Sequence, residues 1–405
     1  MTSQASALKL SSRMQQVSTS MTVAIAQRAR VLQQQGRKII NMASGELDFD
    51  TPAAICAGAV EAIHAGATRY TNVAGLPALK EAVCRKLLTD NKLTYQPGEV
   101  IVGTGAKQLI FNAFLATIDP GDEVLIPAPY WVSYPDMVKI AGGTPVIVPA
   151  TSNTDFKLTA ESLKQHINGN TRWLILNSPG NPSGAVYSRE EYQALAKALQ
   201  QWPQVLILSD EIYEYLCWDR EFISFAEAVP ELFARTLTLN GVSKSYAMTG
   251  WRIGYAAGPQ SLIDAMTTLQ GQSTSNPSSV SQMAALTALN GDRDFLPQWC
   301  EILRHRREGA VARLQRSSCL HIAAPAGAFY LFVDCQKALN RATADGQQLQ
   351  SDLQLASYLL EHAGVATVPG SAFGLPGHLR LTFSLADQDV FTACENIVSV
   401  LETLQ

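Results

Sequence analysis

Long apolar runs, an excess of charge of one sign and paired cysteines are all missing from this sequence of 405 residues. Because no run of about eighteen apolar residues occurs, we expect no membrane-spanning helix and no membrane partner. The formal net charge of -4 at pH 7 offers no basic surface for nucleic acid. The first residues lack the apolar core of a signal peptide, so we expect a cytoplasmic protein.

The cysteines are few and scattered. There are 7 of them, an odd number, and none lies in a Cys-x-x-Cys pair. This pattern favours reduced thiols over disulfides or a zinc site, so we predict no metal. What the sequence does contain is 47% hydrophobic residues, which is enough for a substantial core in one or two domains.

Short aliphatic segments recur in the middle of the chain, and most of them are separated by helical patterns. They are EVIVG (99–103), EVLIPAP (123–129), TPVIVPA (144–150), WLILNSP (173–179), VLILSDEI (205–212), TLTLNG (236–241) and WRIGYAAG (251–258). Apolar runs without clean alternation are typical of parallel strands covered on both faces. We therefore predict an α/β domain with a mostly parallel seven-stranded sheet.

The two chain ends have a different pattern. A helix ended by Gly36 is predicted near the start, and a second helix over 296–315. Two strand-like segments, FYLFVDC (329–335) and HLRLTFS (378–384), and a terminal helix follow. We predict a smaller α+β domain formed by both chain ends, with its segments at 1–50 and 296–405 around a large domain at 51–295.

Unusual polar residues follow four of the predicted strands, at the sheet edge where open α/β sheets bind ligands. GTGAKQ (103–108) opens a helix whose N–H groups could meet a phosphate, although a tight turn without a ligand explains this motif equally well. NSPGNPSG (177–184) supplies the amide of Asn181, but its prolines and glycines also suit an ordinary loop.

The other two strand ends carry charge. Asp210 follows a run of aliphatic residues, so we expect a raised pKa or a cationic partner, with a solvated strand end as the alternative. The side chain of Tyr213, three residues further on, could face the same sheet edge as Asp210. Lys244 follows the next strand and would ordinarily be a solvated surface lysine, whereas Arg252, expected inside the last strand, needs an anion.

One ligand would satisfy all four strand ends. It would carry a phosphate for the helix N-terminus and Arg252, a carbonyl for Lys244, and a basic ring nitrogen for Asp210. Pyridoxal phosphate has these three features, and we predict it as the cofactor.

Longer motifs extend along almost the whole chain. They are GELDFDTP (45–52), RYTNVAGLPALKEAV (69–83), GAKQ (105–108), PYWVSYP (129–135), NSPGNPSGAVY (177–187), SDEIYE (209–214), NGVSKSYAMTGWRIGY (240–255), GAFYLF (327–332) and HLRL (378–381). In content and order they resemble the class I aminotransferases of pyridoxal-phosphate fold type I, most closely the aspartate aminotransferases of many bacteria. The resemblance implies a ping-pong transfer of an amino group from an L-amino acid, aspartate or glutamate, to a 2-oxo acid.

The resemblance assigns catalytic roles to three residues. Lys244 would hold the cofactor covalently and shuttle a proton, which suits a desolvated amine. Asp210 would pair with the ring nitrogen, and Tyr213 would bond the phenolic oxygen of the cofactor together with Asn181. Trp131 would stack on the ring, although ordinary core packing is the alternative for this aromatic residue.

The resemblance also assigns the phosphate contacts. Arg252 would bind the phosphate through its two-pronged guanidinium, and Gly105 and Ala106 would add backbone N–H groups. Tyr70 would reach the phosphate of the other protomer. The implied assembly is therefore a homodimer with active sites shared between its subunits.

For the substrate, Arg380 matches the arginine that binds the α-carboxylate, and Gly45 would lie beside it. Lys107 would bind a side-chain carboxylate, helped by a hydroxyl from Ser20 or Thr22. The full substrate set implied by the resemblance is Gly45, Lys107, Trp131, Asn181, Arg380, Ser20 and Thr22.

Other functions fit the same motifs. The first alternative is an aminotransferase for phenylalanine, kynurenine or a prephenate-like acid. A β-lyase on the same fold is another. A cofactor-sensing regulator would need a DNA-binding segment, and the residues before GELDFDTP contain no basic segment of that kind.

Overall fold

The computed structural model describes residues 8–17, 21–343 and 346–405, without the side chains of residues 22, 23 and 26. The helices are α1 Met21–Gln34, α2 Ala53–His64, α3 Pro77–Asn91, α4 Ala106–Thr117, α5 Tyr134–Ala141, α6 Ala160–His166, α7 Arg189–Leu199, α8 Phe225–Ala228, α9 Gln260–Ser273, α10 Ser279–Asn290, α11 Phe295–Leu314, α12 Asp352–His362 and α13 Asp387–Leu401. The strands are β1 Ile40–Asn41, β2 Val100–Thr104, β3 Glu123–Ala128, β4 Thr144–Pro149, β5 Thr171–Asn177, β6 Leu206–Asp210, β7 Thr236–Gly241, β8 Ile253–Ala257, β9 Tyr330–Asp334, β10 Val365–Ala366, β11 Val368–Pro369 and β12 His378–Thr382.

The main sheet has seven strands in the order β2-β8-β7-β6-β5-β3-β4. Strand β8 is antiparallel to both of its neighbours, whereas β3 to β7 are parallel to one another. Each predicted strand segment of the middle region is present. The prediction of a mostly parallel seven-stranded sheet is therefore confirmed.

Both faces of this sheet are buried, as the continuous apolar runs predicted. In β5, Trp173 and Ile175 pack with α4, α5 and α9 on one face. Leu174 and Leu176 alternate with them and pack with α6, α7 and α8 on the other face. The strands are thus held by helices on both sides, which leaves their carboxyl ends as the accessible edge.

One detail of the predicted strands is wrong. Arg252 was expected inside the strand, but β8 begins at Ile253. Arg252 has φ of 57°, in the left-handed region that strand residues do not adopt. The chain turns at this residue, so the guanidinium lies in a cavity at the sheet edge rather than in the sheet.

The chain ends pack together around two smaller sheets. One is antiparallel with the order β11-β12-β9, and the other pairs β1 with β10 in parallel. A continuous apolar cluster joins Met42 near the start of the chain to Leu401 near its end. None of the helices in the described residues is long and apolar enough to cross a membrane.

Candidate active site

Residues at the carboxyl ends of five strands of the main sheet, β2, β3, β5, β6 and β7, line one cavity of about 670 Å³. The parallel strands β5 and β6 end in register, with Asn177 beside Asp210. Ten of the residues predicted for the site line the cavity. They are Gly45, Ala106, Lys107, Trp131, Asn181, Asp210, Tyr213, Lys244, Arg252 and Arg380.

Asp210 is a buried carboxylate at the end of β6, with 5% of its surface exposed. The hydroxyl of Tyr134 donates a hydrogen bond of 2.6 Å to its Oδ2, and the N–H of Ile212 donates one of 3.3 Å to Oδ1. Desolvation raises the pKa of Asp210 to about 6, although these hydrogen bonds and Lys244 oppose the shift. A carboxylate in this setting is stabilised by a cationic partner.

Lys244 lies in the loop after β7. Its Nζ donates a hydrogen bond of 2.5 Å to the carbonyl of Gly45. The pKa of Lys244 is lowered to about 8, chiefly by desolvation and also by the charges of Arg380 and Arg252, while the carboxylates of Glu46 and Asp210 oppose the shift. This amine can therefore gain or lose a proton near neutral pH, which is what a general base or a nucleophile needs.

Two buried tyrosines form a second part of the cavity. The hydroxyls of Tyr213 and Tyr330 lie 3.0 Å apart, and desolvation raises the pKa of both phenols. The guanidinium of Arg380 lies 4.5 Å from the centre of the Tyr330 ring. Tyr330 thus contacts both the phenol of Tyr213 and the cation of Arg380.

Arg380 is a buried cation on β12, with 3% of its surface exposed. Its guanidinium donates hydrogen bonds to the carbonyls of Ala43 and Ser44 and to Oδ1 of Asn181. Within the described residues it forms no ion pair, and its Nε has no hydrogen-bond partner. Desolvation lowers the pKa of Arg380, so an anion in the cavity would relieve the cost of its burial.

The N-terminus of α4 faces the same cavity. Its cap residue, Gly105, has φ of 77°, and a Cβ there would lie 2.4 Å from a guanidinium nitrogen of Arg252. A Cβ on Gly254 would lie 2.2 Å from the backbone nitrogen of Ala106. Glycines at both places therefore let helix and guanidinium converge on one point, which is an arrangement suited to an anion.

Lys107 follows on the first turn of α4. Its Nζ lies 4.8 Å from the centre of the Trp131 ring. Desolvation and then the charge of Arg252 lower its pKa. Lys107 has no carboxylate partner within the described part of the chain.

Comparisons with known proteins identify the family. The profile described as aminotransferase class I and II matches residues 37–397. The chain belongs to this family. It is therefore an aminotransferase, as the sequence predicted.

Two relatives illustrate how closely this aminotransferase matches known ones. A protein of Cereibacter sphaeroides named aspartate/prephenate aminotransferase is 50% identical over 389 residues, covering 96% of this chain and 97% of the relative. A protein of Nitrosomonas europaea with the same name is 46% identical over 396 residues, covering 97% of this chain and 100% of the relative.

Two solved structures of bacterial aspartate aminotransferases are similar to this chain over almost its whole length. The aspartate aminotransferase from Rhizobium meliloti is 44% identical, with a TM-score of 0.95 and coverage of 98% of this chain and 100% of that one. The aspartate aminotransferase from Thermus thermophilus with maleate is 39% identical, with a TM-score of 0.91 and coverage of 97% and 100%.

Four predicted residues are not among those that line the cavity, and one of them, Gly105, lies next to it as the cap residue of α4. Tyr70 is 91% exposed and does not line it. Ser20 and the side chain of Thr22 lie outside the described residues. Their roles stay predictions.

Sequence reasoning missed several residues that line the site. They are Gln27, Arg30, Asn41, Glu46, Tyr134, Asn177 and Tyr330. Tyr134 and Tyr330 lie inside the quoted motifs PYWVSYP and GAFYLF, so a signal for them was present. Gln27 and Arg30 come from α1, where nothing in the sequence indicates which helix face meets the cavity.

Proposed function

We propose that this aminotransferase uses pyridoxal phosphate and transfers the amino group of aspartate or glutamate to a 2-oxo acid by a ping-pong mechanism. The observation that supports the proposal most strongly is the cavity itself. It combines a desolvated acid, Asp210, a desolvated amine, Lys244, and two arginines, Arg252 and Arg380, that have no carboxylate partner within the described residues.

The residues present fit the cofactor. Asp210 is a buried acid that would gain a partner from a protonated ring nitrogen. Arg252 donates one hydrogen bond, of 2.9 Å, to the carbonyl of Thr249 and lies beside the N-terminus of α4, so it would bind a phosphate. When bound, pyridoxal phosphate would supply a ring that accepts the negative charge developing at the substrate α-carbon.

The chain's own groups have complementary roles in this proposal. Lys244 would take and return the proton at the substrate α-carbon, because a pKa of about 8 lets its Nζ do both near neutral pH. Asp210 would remain an anion opposite the ring cation. Tyr213 and Asn181 would donate hydrogen bonds to the phenolic oxygen of the cofactor, and Trp131 would cover the ring.

The remaining cations support a substrate with two carboxylates. Arg380 would bind the α-carboxylate, held in place by the carbonyls of Ala43 and Ser44. Lys107 would bind a second carboxylate on the substrate side chain. The structure of the Thermus thermophilus relative with maleate, a dicarboxylate, supports an acidic substrate.

We propose a homodimer that shares its active sites. In a single chain Tyr70 is almost fully exposed, which leaves its side chain accessible to a second subunit. A second subunit would cover it and place its hydroxyl at the neighbouring phosphate. Size-exclusion chromatography with light scattering tests the assembly, and a monomer with full activity would contradict it.

A half-reaction tests the function directly. The absorbance of the bound pyridoxal phosphate should fall when aspartate or glutamate is added to the loaded protein without an amino-group acceptor. Lys107→Ala should lose the preference for aspartate over alanine, whereas Lys164→Ala, a change at an exposed residue of α6 that does not line this cavity, should keep it. An unchanged spectrum with every amino acid would refute the proposal.

A second substrate is suggested by the relatives' names, which add prephenate to aspartate. Prephenate is a 2-oxo acid with a second carboxylate, so the same pair of cations, Arg380 and Lys107, would suit it. The test is conversion of prephenate with glutamate or aspartate as the donor, compared with oxaloacetate as the acceptor. No conversion of prephenate would leave the dicarboxylic amino acids as the substrates.

A further inference from the structure

Helix α1 contributes an unassigned cation to the active-site cavity. Arg30 and Gln27 both line it, and because they are three positions apart they lie on one face of the helix. The Arg30 side chain is exposed. Within the described residues its guanidinium has neither an ion pair nor a hydrogen bond, so its donors are free for a ligand.

The helix that carries Arg30 is fixed in place. Ala29 and Leu32 are buried, with Ile25 packed beside them, in a cluster that includes Phe332 of β9. The side chain of Gln33 adds a hydrogen bond of 2.8 Å to the carbonyl of Ile39. Arg30 is thus presented from an anchored element, which limits the entropy lost when it binds a ligand.

The charges of the cavity do not balance. Its acidic residues are Glu46 and Asp210, and its cationic residues are Arg30, Lys107, Lys244, Arg252 and Arg380. In the proposed function the last three cations are used by the cofactor and the substrate α-carboxylate. Glu46 accepts a hydrogen bond from Thr249 and forms no ion pair with the other two cations within the described residues. Lys107 on α4 and Arg30 on α1 therefore remain for one further anionic group.

We propose that Arg30 is a specificity-determining residue that binds the side-chain carboxylate of the substrate together with Lys107. This inference rests on the proposed function, because it assumes that Arg380 binds the α-carboxylate. An arginine offers paired N–H donors in one plane, which matches a carboxylate, whereas the lysine acts as a point charge. The substrate class is therefore an amino or 2-oxo acid with a second carboxylate.

The test compares two substitutions on the same helix. Arg30→Gln removes the charge at the cavity, and Arg28→Gln removes one from an exposed residue of α1 that does not line the cavity. For the cofactor-loaded enzyme we expect Arg30→Gln to raise KM for aspartate about fivefold, the upper range for an exposed ion pair. The kcat for aspartate and both constants for alanine should stay unchanged, since a uniform binding contact is lost.

A binding measurement complements the kinetics. Maleate has two carboxylates and no amino group, so calorimetric titration of the loaded enzyme reports binding without turnover. Arg30→Gln should weaken maleate about fivefold, and added salt should weaken the wild-type affinity more than that of the variant. Arg28→Gln should match the wild type in both respects.

The outcomes separate this inference from the proposed function. If the wild type prefers aspartate over alanine and Arg30→Gln matches Arg28→Gln in KM and maleate affinity, the role of Arg30 is refuted while the function stands. If the wild type has no preference for dicarboxylic substrates, both are refuted.

Discussion

Asp210 should make the cofactor-free protein less stable as the pH rises from about 4 to 6. Burial raises the pKa of this carboxyl from 3.8 to about 6, so between these values the folded state binds a proton that the unfolded state has released. Below this window the carboxyl is protonated in both states. Above this window the carboxyl is ionised in both states, and the buried charge destabilises the folded state by its full amount.

The magnitude follows from the size of the shift. About two pKa units correspond to about 3 kcal/mol of unfolding free energy. Asp210→Asn removes the charge and keeps an oxygen that can accept the hydrogen bond of Tyr134. The variant should match the wild type near pH 4 and exceed its stability by about 3 kcal/mol at pH 7.

The assay is urea unfolding of both cofactor-free proteins at half-unit pH steps between 4 and 7.5, with the difference in unfolding free energy plotted against pH. Taking the difference cancels the titration of the other carboxyls. Tyr134→Phe removes a hydrogen bond that stabilises the anion, so its fall in stability should continue to a higher pH. A difference that stays flat across the range would refute this account of Asp210.

Three further predictions concern the same site. Lys244→Ala should bind no cofactor covalently and should lower turnover by about 10²-fold to 10⁴-fold, measured by borohydride labelling and steady-state kinetics; near-normal turnover would contradict its role. Tyr330→Phe should lose about 1 kcal/mol of unfolding free energy in denaturant titrations, because it removes one hydroxyl of the buried pair; an unchanged midpoint would show that the contact is weak. Gly254→Ala should lose about 1–3 kcal/mol and bind the cofactor more weakly, since its Cβ would press on Ala106, whereas Gly250→Ala, which has open space, should melt like the wild type.

The sequence predicted the main sheet well because its signal is local. A run such as WLILN must be buried on both faces to be stable. It can therefore be recognised as a strand without knowing which strands lie beside it. The polar residues after each strand were also visible, since parallel strands place their carboxyl ends on one edge. This is why the sequence alone predicts that Asp210 and Lys244 lie together.

The parts that could not be predicted depend on orientation and on distant contacts. Arg252 looked like a strand residue, and only its left-handed backbone turns it toward the cavity. Tyr134 lies 76 positions from the carboxylate it contacts, and Tyr330 lies 117 positions from Tyr213. No spacing rule links residues so far apart.

By itself the sequence determined the fold class, the sheet and the chemistry gathered at one sheet edge, because burial patterns and residue types are properties of short segments. Only the tertiary structure decided which groups are desolvated, which hydroxyl holds Asp210, and which face of α1 brings Arg30 to the cavity. Those properties arise when elements from both chain ends pack against the sheet, and the free energy of burying a charge depends on everything that surrounds it.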